Sequence, residues 1–303
     1  MSDQAALHAA NMRGIVAVLV SMALFVLSDS VVKLAGEMMP ATEIMAVRGV
    51  MAVLLMGGVA VATIDRSKWH LVAQPRVVVR ASIEAIVAVL FLIALPQLPL
   101  ADITAIQQVT PIVLTVLSAV VLKEAVGWRR WLAVFAGFVG VVLVIQPTAE
   151  GINLFALSAL ACAALVAVRD IITRGLQPGI PTALVTFTTT LSVCIAGFVG
   201  APLETWHMPT PYGFALLAAS AVLVSSANIF IIRAFRGTEV SVVAPFRYAG
   251  VVWAIVLGFA IWGHVPNGLA IAGTVILVAS GLYIMHREAL RRRLARDLPE
   301  PHG

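Results

Sequence analysis

Apolar stretches of about 20 residues follow one another through almost the whole of this sequence, and each is long enough to cross a bilayer as an α-helix. Hydrophobic residues make up 61% of the chain and charged residues only 12%, far from the balance of a water-soluble domain. A transmembrane β-barrel would instead show alternating segments of about ten residues, and the sequence contains no such series. The sequence therefore predicts an all-α integral membrane protein.

Ten apolar spans can be delimited by proline, glycine and clusters of charge. We predict transmembrane helices over residues 14–35, 41–64, 77–95, 101–122, 129–146, 152–173, 182–202, 213–235, 239–262 and 266–286. They are called spans one to ten below. Most of the connections between them are short, so successive helices are expected to run antiparallel.

Lysine and arginine are unevenly distributed between the loops. They occur at the amino terminus, in the loops after spans two, four, six and eight, and in the tail, namely Arg13, Arg66, Lys68, Arg76, Lys123, Arg129, Arg130, Arg174, Arg233, Arg236, Arg287, Arg291, Arg292, Arg293 and Arg296. The alternate loops contain neither residue. Because basic residues are retained on the cytoplasmic side during insertion, both termini are predicted to be cytoplasmic. The basic tail is expected to meet the membrane surface, and no nucleic-acid partner is expected.

The second half of the sequence is similar to the first when residues 95–146 are laid over residues 235–286. Glu124 then aligns with His264, each in a short polar turn between two spans. Five spans per half invert the second half relative to the first, an architecture that recurs in secondary transporters with the substrate near the midplane. Pro111 in span four and Pro245 in span nine are expected to kink equivalent helices at a similar depth.

This arrangement predicts two inverted five-helix repeats, residues 1–147 and 148–286, followed by a basic cytoplasmic tail, residues 287–303. Gly137 and Gly140 in span five, with Gly273 and Gly281 in span ten, form small-residue faces that allow close helix packing. The chain is expected to be a multi-pass protein of the bacterial cytoplasmic (inner) membrane.

Two stretches of sequence carry a family resemblance. Leu122, Lys123 and Glu124 precede a glycine-rich span with Gly-Phe-Val-Gly at 137–140, and with its second-half counterpart this pattern resembles the two EamA units of the drug/metabolite transporter superfamily. The stretch Ser-Asp-Ser-Val-Val-Lys at 28–33, followed by Arg48, is similar to the first helix pair of many bacterial members. In length and layout the chain resembles YddG-type amino-acid exporters most, although His264 replaces the acidic residue usual in the second unit.

The resemblance covers essentially the whole chain and implies a secondary transporter. Members of the superfamily carry amino acids, nucleotide derivatives, vitamins and drugs, and export of amino acids or similar zwitterions is the function we expect. Uptake of a vitamin or nucleoside-like metabolite is the alternative, because Asp29, Lys33 and Arg48 are also similar to uptake members. A channel would normally need a ring of identical residues from several subunits, so single charges fit alternating access better.

Polar residues at membrane depth are the candidate substrate ligands, because an ionisable group costs roughly 2.5–3.5 kcal/mol at the centre of a transmembrane helix. The candidates are Asp29, Arg48, Glu84, Gln107, Gln108, Asn228, Arg247, Tyr248 and Trp253. Arg247 lies beside the break expected at Pro245, where a guanidinium could bind a carboxylate or phosphate through two parallel hydrogen bonds.

Structural roles compete at the charged positions. Asp29 and Lys33 are four residues apart and could form an ion pair within span one. Arg48 could form a salt bridge with Asp29, and Arg247 could pair with Glu84 or Asp29.

The remaining polar residues have similar alternatives. Arg80 is four residues before Glu84, and its long side chain could reach the cytoplasmic interface. Gln107 and Gln108 could make hydrogen bonds between helices. Arg169 and Asp170, at the cytoplasmic end of span six, are expected to set topology or to gate.

Several functional classes have no counterpart in the sequence. No Gly-x-x-x-x-Gly-Lys-Ser/Thr loop occurs, so ATP is not an expected partner. The six histidines fall in loops, tails or span ends, and neither a nucleophile with a base nor a cluster with metal-ligand spacing is evident. An enzyme, a cofactor and a metal are therefore not expected. The expected partners are a small polar solute and the lipid bilayer, with no coupling ion assigned.

Cysteine labelling tests the inverted repeat. In separate variants, Glu124→Cys and His264→Cys, an impermeant maleimide added to intact cells should label only position 264, because the two turns are predicted to lie on opposite sides. A gel shift measures the labelling, and permeabilised cells should show both positions labelled. Equal labelling of the two positions in intact cells would contradict the inversion.

Overall fold

The protein is a bundle of helices in a computed structural model that describes residues 2–121, 123, 127–147, 153–177, 179–236 and 240–296. Ten helices in these residues are long and apolar enough to cross a membrane: Asn11–Gly36, Ala41–Thr63, Pro75–Ala94, Leu100–Val120, Trp128–Ile145, Leu154–Thr173, Thr182–Leu203, Pro211–Ile231, Pro245–Trp262 and Gly268–Arg287. They lie at the ten predicted spans, so the predicted fold class is confirmed.

Two of the spans are each divided into shorter helices. The helices are α1 (Ser2–Gly36), α2 (Ala41–Thr63), α3 (Pro75–Ala94), α4 (Leu100–Gln107), α5 (Thr110–Val120), α6 (Trp128–Ile145), α7 (Leu154–Arg174), α8 (Thr182–Gly200), α9 (Pro211–Arg236), α10 (Val240–Val243), α11 (Ala249–Trp262) and α12 (Gly268–Arg296). Three 3₁₀ segments, Arg66–Ala73, Ala201–Leu203 and Ala244–Tyr248, lie between them. Because α12 continues to Arg296, the basic tail begins as an extension of span ten.

The breaks in spans four and nine follow from their prolines. Proline has no N–H and its ring displaces the carbonyl four residues earlier, which for Pro111 is that of Gln107. The hydroxyl of Thr110 donates to this carbonyl at 2.8 Å and compensates for the lost backbone bond. In span nine, Pro245 lies in the 3₁₀ segment Ala244–Tyr248, directly before α11. Both kinks were predicted from the sequence.

The helices pair in a pattern that two equivalent halves would produce. Span one packs against span eight, and span six packs against span three. Spans two and seven pack together, as do spans four and nine and spans five and ten. Exchanging each span in one half for its counterpart in the other leaves this set of contacts unchanged, as expected for two repeats related by a twofold axis.

Individual contacts repeat the pattern at residue level. Ser21 in span one donates its hydroxyl to the carbonyl of Ala227 in span eight at 2.8 Å, and Cys162 in span six donates its thiol to the carbonyl of Val87 in span three at 3.6 Å. These equivalent bonds tie the first span of each half to the third span of the other half.

Glycines bring spans five and ten into backbone contact. A Cβ on Gly140 would lie 2.8 Å from the carbonyl oxygen of Gly273, and a Cβ on Gly273 would lie 2.6 Å from that of Gly140. Any larger residue would force the two helices apart, because close approach in membranes depends on small residues. Gly281 makes room for the hydroxyl of Tyr248, which a Cβ at position 281 would overlap.

Candidate functional site

Two groups of side chains in the described part of the bundle contain the charged candidates Asp29, Arg48, Glu84 and Arg247. The Asp29 group consists of Ser28, Asp29, Arg48 and Ser220, on spans one, two and eight. The Arg169 group consists of Arg80, Glu84, Arg169, Asp170 and Arg247, on spans three, six and nine. We describe the contacts of each group before asking what they can bind.

The Asp29 group holds two opposite charges that do not touch. Asp29 is half-buried and its carboxylate forms no hydrogen bond or ion pair with any residue that the structure describes. Arg48 acts on it electrostatically from span two. The Nη2 of Arg48 donates to the hydroxyl of Ser28 at 3.3 Å, and that hydroxyl also shares a hydrogen bond of 3.1 Å with the hydroxyl of Ser220.

The ion pair considered for Asp29 and Lys33 is not formed. The Nζ of Lys33 instead donates to three backbone carbonyls, those of Leu95 at 2.7 Å, Pro96 at 3.0 Å and Leu98 at 2.6 Å. The salt bridge considered between Arg48 and Asp29 is absent as well. The charges of span one are therefore satisfied by backbone groups or left for another partner.

Arg169 is the centre of the second group. Its Nη1 forms a salt bridge of 2.7 Å with Glu84, and its Nη2 forms one of 2.8 Å with Asp170. Glu84 lies on α3 and Arg169 on α7, so the guanidinium joins spans three and six. Both carboxylates of the group are thereby in direct contact with one arginine.

Arg80 is satisfied by hydroxyl groups and does not pair with Glu84. Its Nε donates to Thr173 at 2.8 Å, and its Nη1 donates to the hydroxyl of Thr189. These bonds connect α3 with α7 and α8. The sequence-based alternative of a pair between Arg80 and Glu84, four residues apart, is therefore not realised.

Arg247 is the arginine of this group that lacks a direct partner. It lies in the 3₁₀ segment Ala244–Tyr248, and its side chain forms no hydrogen bond or ion pair with the described part of the chain. The side chain is exposed, yet the charges of Asp170 and Arg169 on α7 act on it. It pairs with neither Glu84 nor Asp29.

Polar groups flank the two helix breaks. The amide of Gln107 donates to the carbonyl of Ala159 at 3.4 Å, whereas Gln108 is half-buried and makes no hydrogen bond within the described residues. Tyr248, at the end of the 3₁₀ segment, is buried and its hydroxyl has no partner in that same set. Gln108 is thus the half-buried amide without a partner at the break in span four, whereas the hydroxyl of Tyr248 is enclosed against Gly281.

Two predicted ligands are not joined to either group. Asn228 donates its amide to the carbonyl of Val224 on its own helix at 2.8 Å. Trp253, on α11, is 39% exposed. No hydrogen bond connects either side chain to the Asp29 or Arg169 group among the residues described.

The formal charges of the Arg169 group do not cancel. Arg80, Arg169 and Arg247 face Glu84 and Asp170, and both acids are already in contact with Arg169. One positive charge remains in excess, and Arg80 and Arg247 are the two arginines of the group without a carboxylate in direct contact. A site of this kind favours a solute with a carboxylate or phosphate. No cluster of three potential metal ligands occurs among the described residues.

The comparisons with known proteins agree with this architecture. The EamA-like transporter family matches residues 12–146. An S-adenosylmethionine uptake transporter of Rickettsia felis is 27% identical over 193 residues, 63% of this chain and 64% of the relative. A riboflavin transporter of Vibrio cholerae is 28% identical over 197 residues, 64% and 65% of the two chains. The matches thus span less than two thirds of the length of these two relatives.

A longer match and a solved structure extend the comparison. The pseudopaline exporter CntI of Pseudomonas aeruginosa is 26% identical over 263 residues, 84% of this chain and 90% of the exporter. A crystal structure with 19% sequence identity superposes with a TM-score of 0.62 over 95% of this chain and 99% of its own, which shows a shared fold. Ten apolar helices and these bacterial relatives indicate a multi-pass protein of the inner membrane. The chain carries an EamA domain over residues 12–146, and it is similar to a transporter of the same kind over most of its length.

Removing Glu84 tests the structural role of the salt bridge. Glu84→Gln should lower the melting temperature, because breaking a buried pair costs about 3–5 kcal/mol and this partly accessible one somewhat less. Adding Arg169→Gln should recover part of the loss, since the second change removes the charge that was left without its acid. Fluorescence-detected size exclusion after heating measures both effects. Arg66→Gln in the Glu84→Gln background, at an exposed position outside the spans, serves as the control and should recover nothing.

Proposed function

We propose that this protein exports amino acids or similar small zwitterionic metabolites across the cytoplasmic membrane by alternating access. The observation that carries the proposal is the exposed guanidinium of Arg247, which lies at a helix break and has no carboxylate in direct contact within the described structure. A carboxylate on a solute would supply the missing partner through two parallel hydrogen bonds.

The surroundings of Arg247 favour a small and polar solute. Gln108 offers a neutral hydrogen-bonding group at the break in span four without adding a fixed charge. Breaks of this kind also free backbone groups, which in inverted-repeat transporters lie near the midplane and line the solute site. Spans four and nine pack against each other through α4 and α11, the helices next to the two breaks.

Export is preferred to uptake because of the extent of one match. The relative named as an exporter matches 84% of this chain, whereas the relatives named as uptake carriers match 63% and 64%. Uptake of a vitamin or nucleoside-like metabolite is the second candidate, and the names of those two relatives favour it. Arg247 would serve either solute, since both classes include anionic groups.

Counterflow in proteoliposomes tests the proposal. Vesicles preloaded with unlabelled solute should take up labelled solute faster than empty vesicles, because only a carrier that alternates between two faces exchanges solute in this way. A panel of amino acids, vitamins and nucleosides identifies the class. Flux that preloading does not accelerate would indicate a channel, and acceleration by vitamins or nucleosides alone would favour the second candidate.

Arg247→Lys tests the role of the guanidinium. Lysine keeps the charge but loses the planar two-donor geometry, so transport should fall by more than tenfold, about 1.4 kcal/mol or more. Arg66→Lys, at an exposed position outside the spans, is the matched control and should transport normally. Size exclusion of the same samples verifies folding. Normal flux in well-folded Arg247→Gln would remove Arg247 from the site and make Gln107 and Gln108 the leading ligands.

A further inference from the structure

Lys33 joins three parts of the bundle at one end. It lies near the end of α1 and is 4% exposed, although it carries an ammonium group. Its three hydrogen bonds go to carbonyls of Leu95, Pro96 and Leu98, which form the turn between α3 and α4. The ring of Trp262, the last residue of α11, lies 5.5 Å from the same Nζ.

The contacts of Lys33 use all of its donors. A helix leaves its last four carbonyls without partners, and α3 ends at Ala94, so the turn presents free carbonyls beside the negative end of the helix dipole. An ammonium has three N–H donors and no acceptor. Lys33 therefore satisfies three carbonyls of the turn that follows α3, and it reaches them from another helix.

A second contact closes the same end of the bundle. The indole N–H of Trp262 donates to the carboxylate of Glu37 at 3.1 Å, and Glu37 directly follows α1. Glu37 also acts electrostatically on Lys33. The end of α1, the α3–α4 turn and the end of α11 are thus held together around one cation, on the face predicted to be external.

Asp29 offers Lys33 a second position. Residues four apart lie on one face of a helix, one turn from each other. Asp29 has no direct partner in the described residues, while Lys33 is occupied by the turn. If the turn moved away, an ammonium without acceptors would be costly at membrane depth. Glu37, also four residues away, is bound by Trp262, whereas Asp29 lies one turn deeper in α1 and has no direct partner in the described residues.

We propose that Lys33 is a two-position latch. With the turn in place it binds the three carbonyls and holds this face closed, as in the present structure. When the face opens, it releases the turn and pairs with Asp29, which keeps the charge satisfied in the second state. The proposal rests on the alternating access proposed above, because it assigns the closed and open positions of one face.

The reporter for the latch is a cysteine at position 35. Ala35 is fully buried beside Lys33 and packs in the same apolar cluster as Leu95 and Leu98. A maleimide can reach Ala35→Cys only when this end opens, so the labelling rate follows the open fraction even when that fraction is small. Purified protein in detergent is used, which makes the measurement independent of membrane orientation and of any solute.

The latch predicts a specific set of labelling rates. Lys33→Met should raise the rate at least tenfold, because the closed position is lost. Asp29→Asn should lower it at least threefold, because the open position is lost. In the Lys33→Met background, Asp29→Asn should have no effect, since Asp29 acts only through the lysine. The exposed Lys68→Met and Asp65→Asn are matched controls and should leave the rate unchanged.

Opposite outcomes overturn the latch. An unchanged rate in Lys33→Met shows that the lysine does not hold the face, and an Asp29→Asn effect that persists without Lys33 shows that the two do not form a switch. An unchanged or faster rate in Asp29→Asn alone has the same consequence. Lys33→Gln replaces Lys33→Met if the latter does not fold, and the Asp29→Asn measurement needs neither.

A disulfide separates the latch from the transport function. A Cβ on Gly36 would lie 3.6 Å from the Cβ of Pro96, a separation that a disulfide spans. Oxidised Gly36→Cys with Pro96→Cys should abolish counterflow, and a reductant should restore it. Undiminished counterflow in the oxidised protein overturns the latch, whereas absence of counterflow in every variant, wild type included, overturns the proposed function.

Discussion

The cost of leaving a charge without a partner in hydrocarbon governs the interior of this protein. Lys33 is satisfied by three carbonyls, Arg169 by two carboxylates and Arg80 by two hydroxyls. Each of these side chains joins two or more helices, so the contacts that satisfy the charges also assemble the bundle. Asp29 and Arg247 lack such contacts within the described residues. We attribute this exception to partners that are absent from the resting contacts: a solute for Arg247 and a displaced lysine for Asp29.

The two halves have equivalent helix positions but different side chains at them, and the charged residues are where they differ. The hydrogen bonds of Ser21 and Cys162 are equivalent, so these two residues align span one with span six. In this alignment Asp29 corresponds to Asp170. Asp170 has Arg169 beside it, whereas Asp29 has Ser28. One face therefore has a fixed ion-pair network and the other has a cation on backbone carbonyls. Faces that are stabilised by different groups need not open with equal ease, and a solute can bias that balance.

Hydropathy and proline were sufficient to predict the ten spans and both helix breaks. They could not assign partners to the charges, because spacing along one helix does not show which neighbouring helix packs on it. Lys33 and Arg80 each have an acidic residue one turn away, yet both bind groups on other helices. The expectation that Arg169 sets topology or gates stays a prediction, and its salt bridge with Glu84 was not foreseen. Asp29 and Lys33 have the same spacing as Asp170 and Arg174. Aligning these two pairs would have drawn attention to the charged residues beside Arg169.

The short helix α4 connects the latch physically to the proposed solute site. Its first residue follows the turn held by Lys33, and its last residue, Gln107, contacts α7 through the carbonyl of Ala159. The break at Pro111 separates α4 from α5, so α4 can tilt without carrying the rest of span four. Release of the turn would therefore change the position of Gln107 and Gln108 first. Because α7 also carries Arg169 and Asp170, whose charges act on Arg247, a tilt of α4 that shifts α7 changes the field at the guanidinium that we propose as the carboxylate ligand.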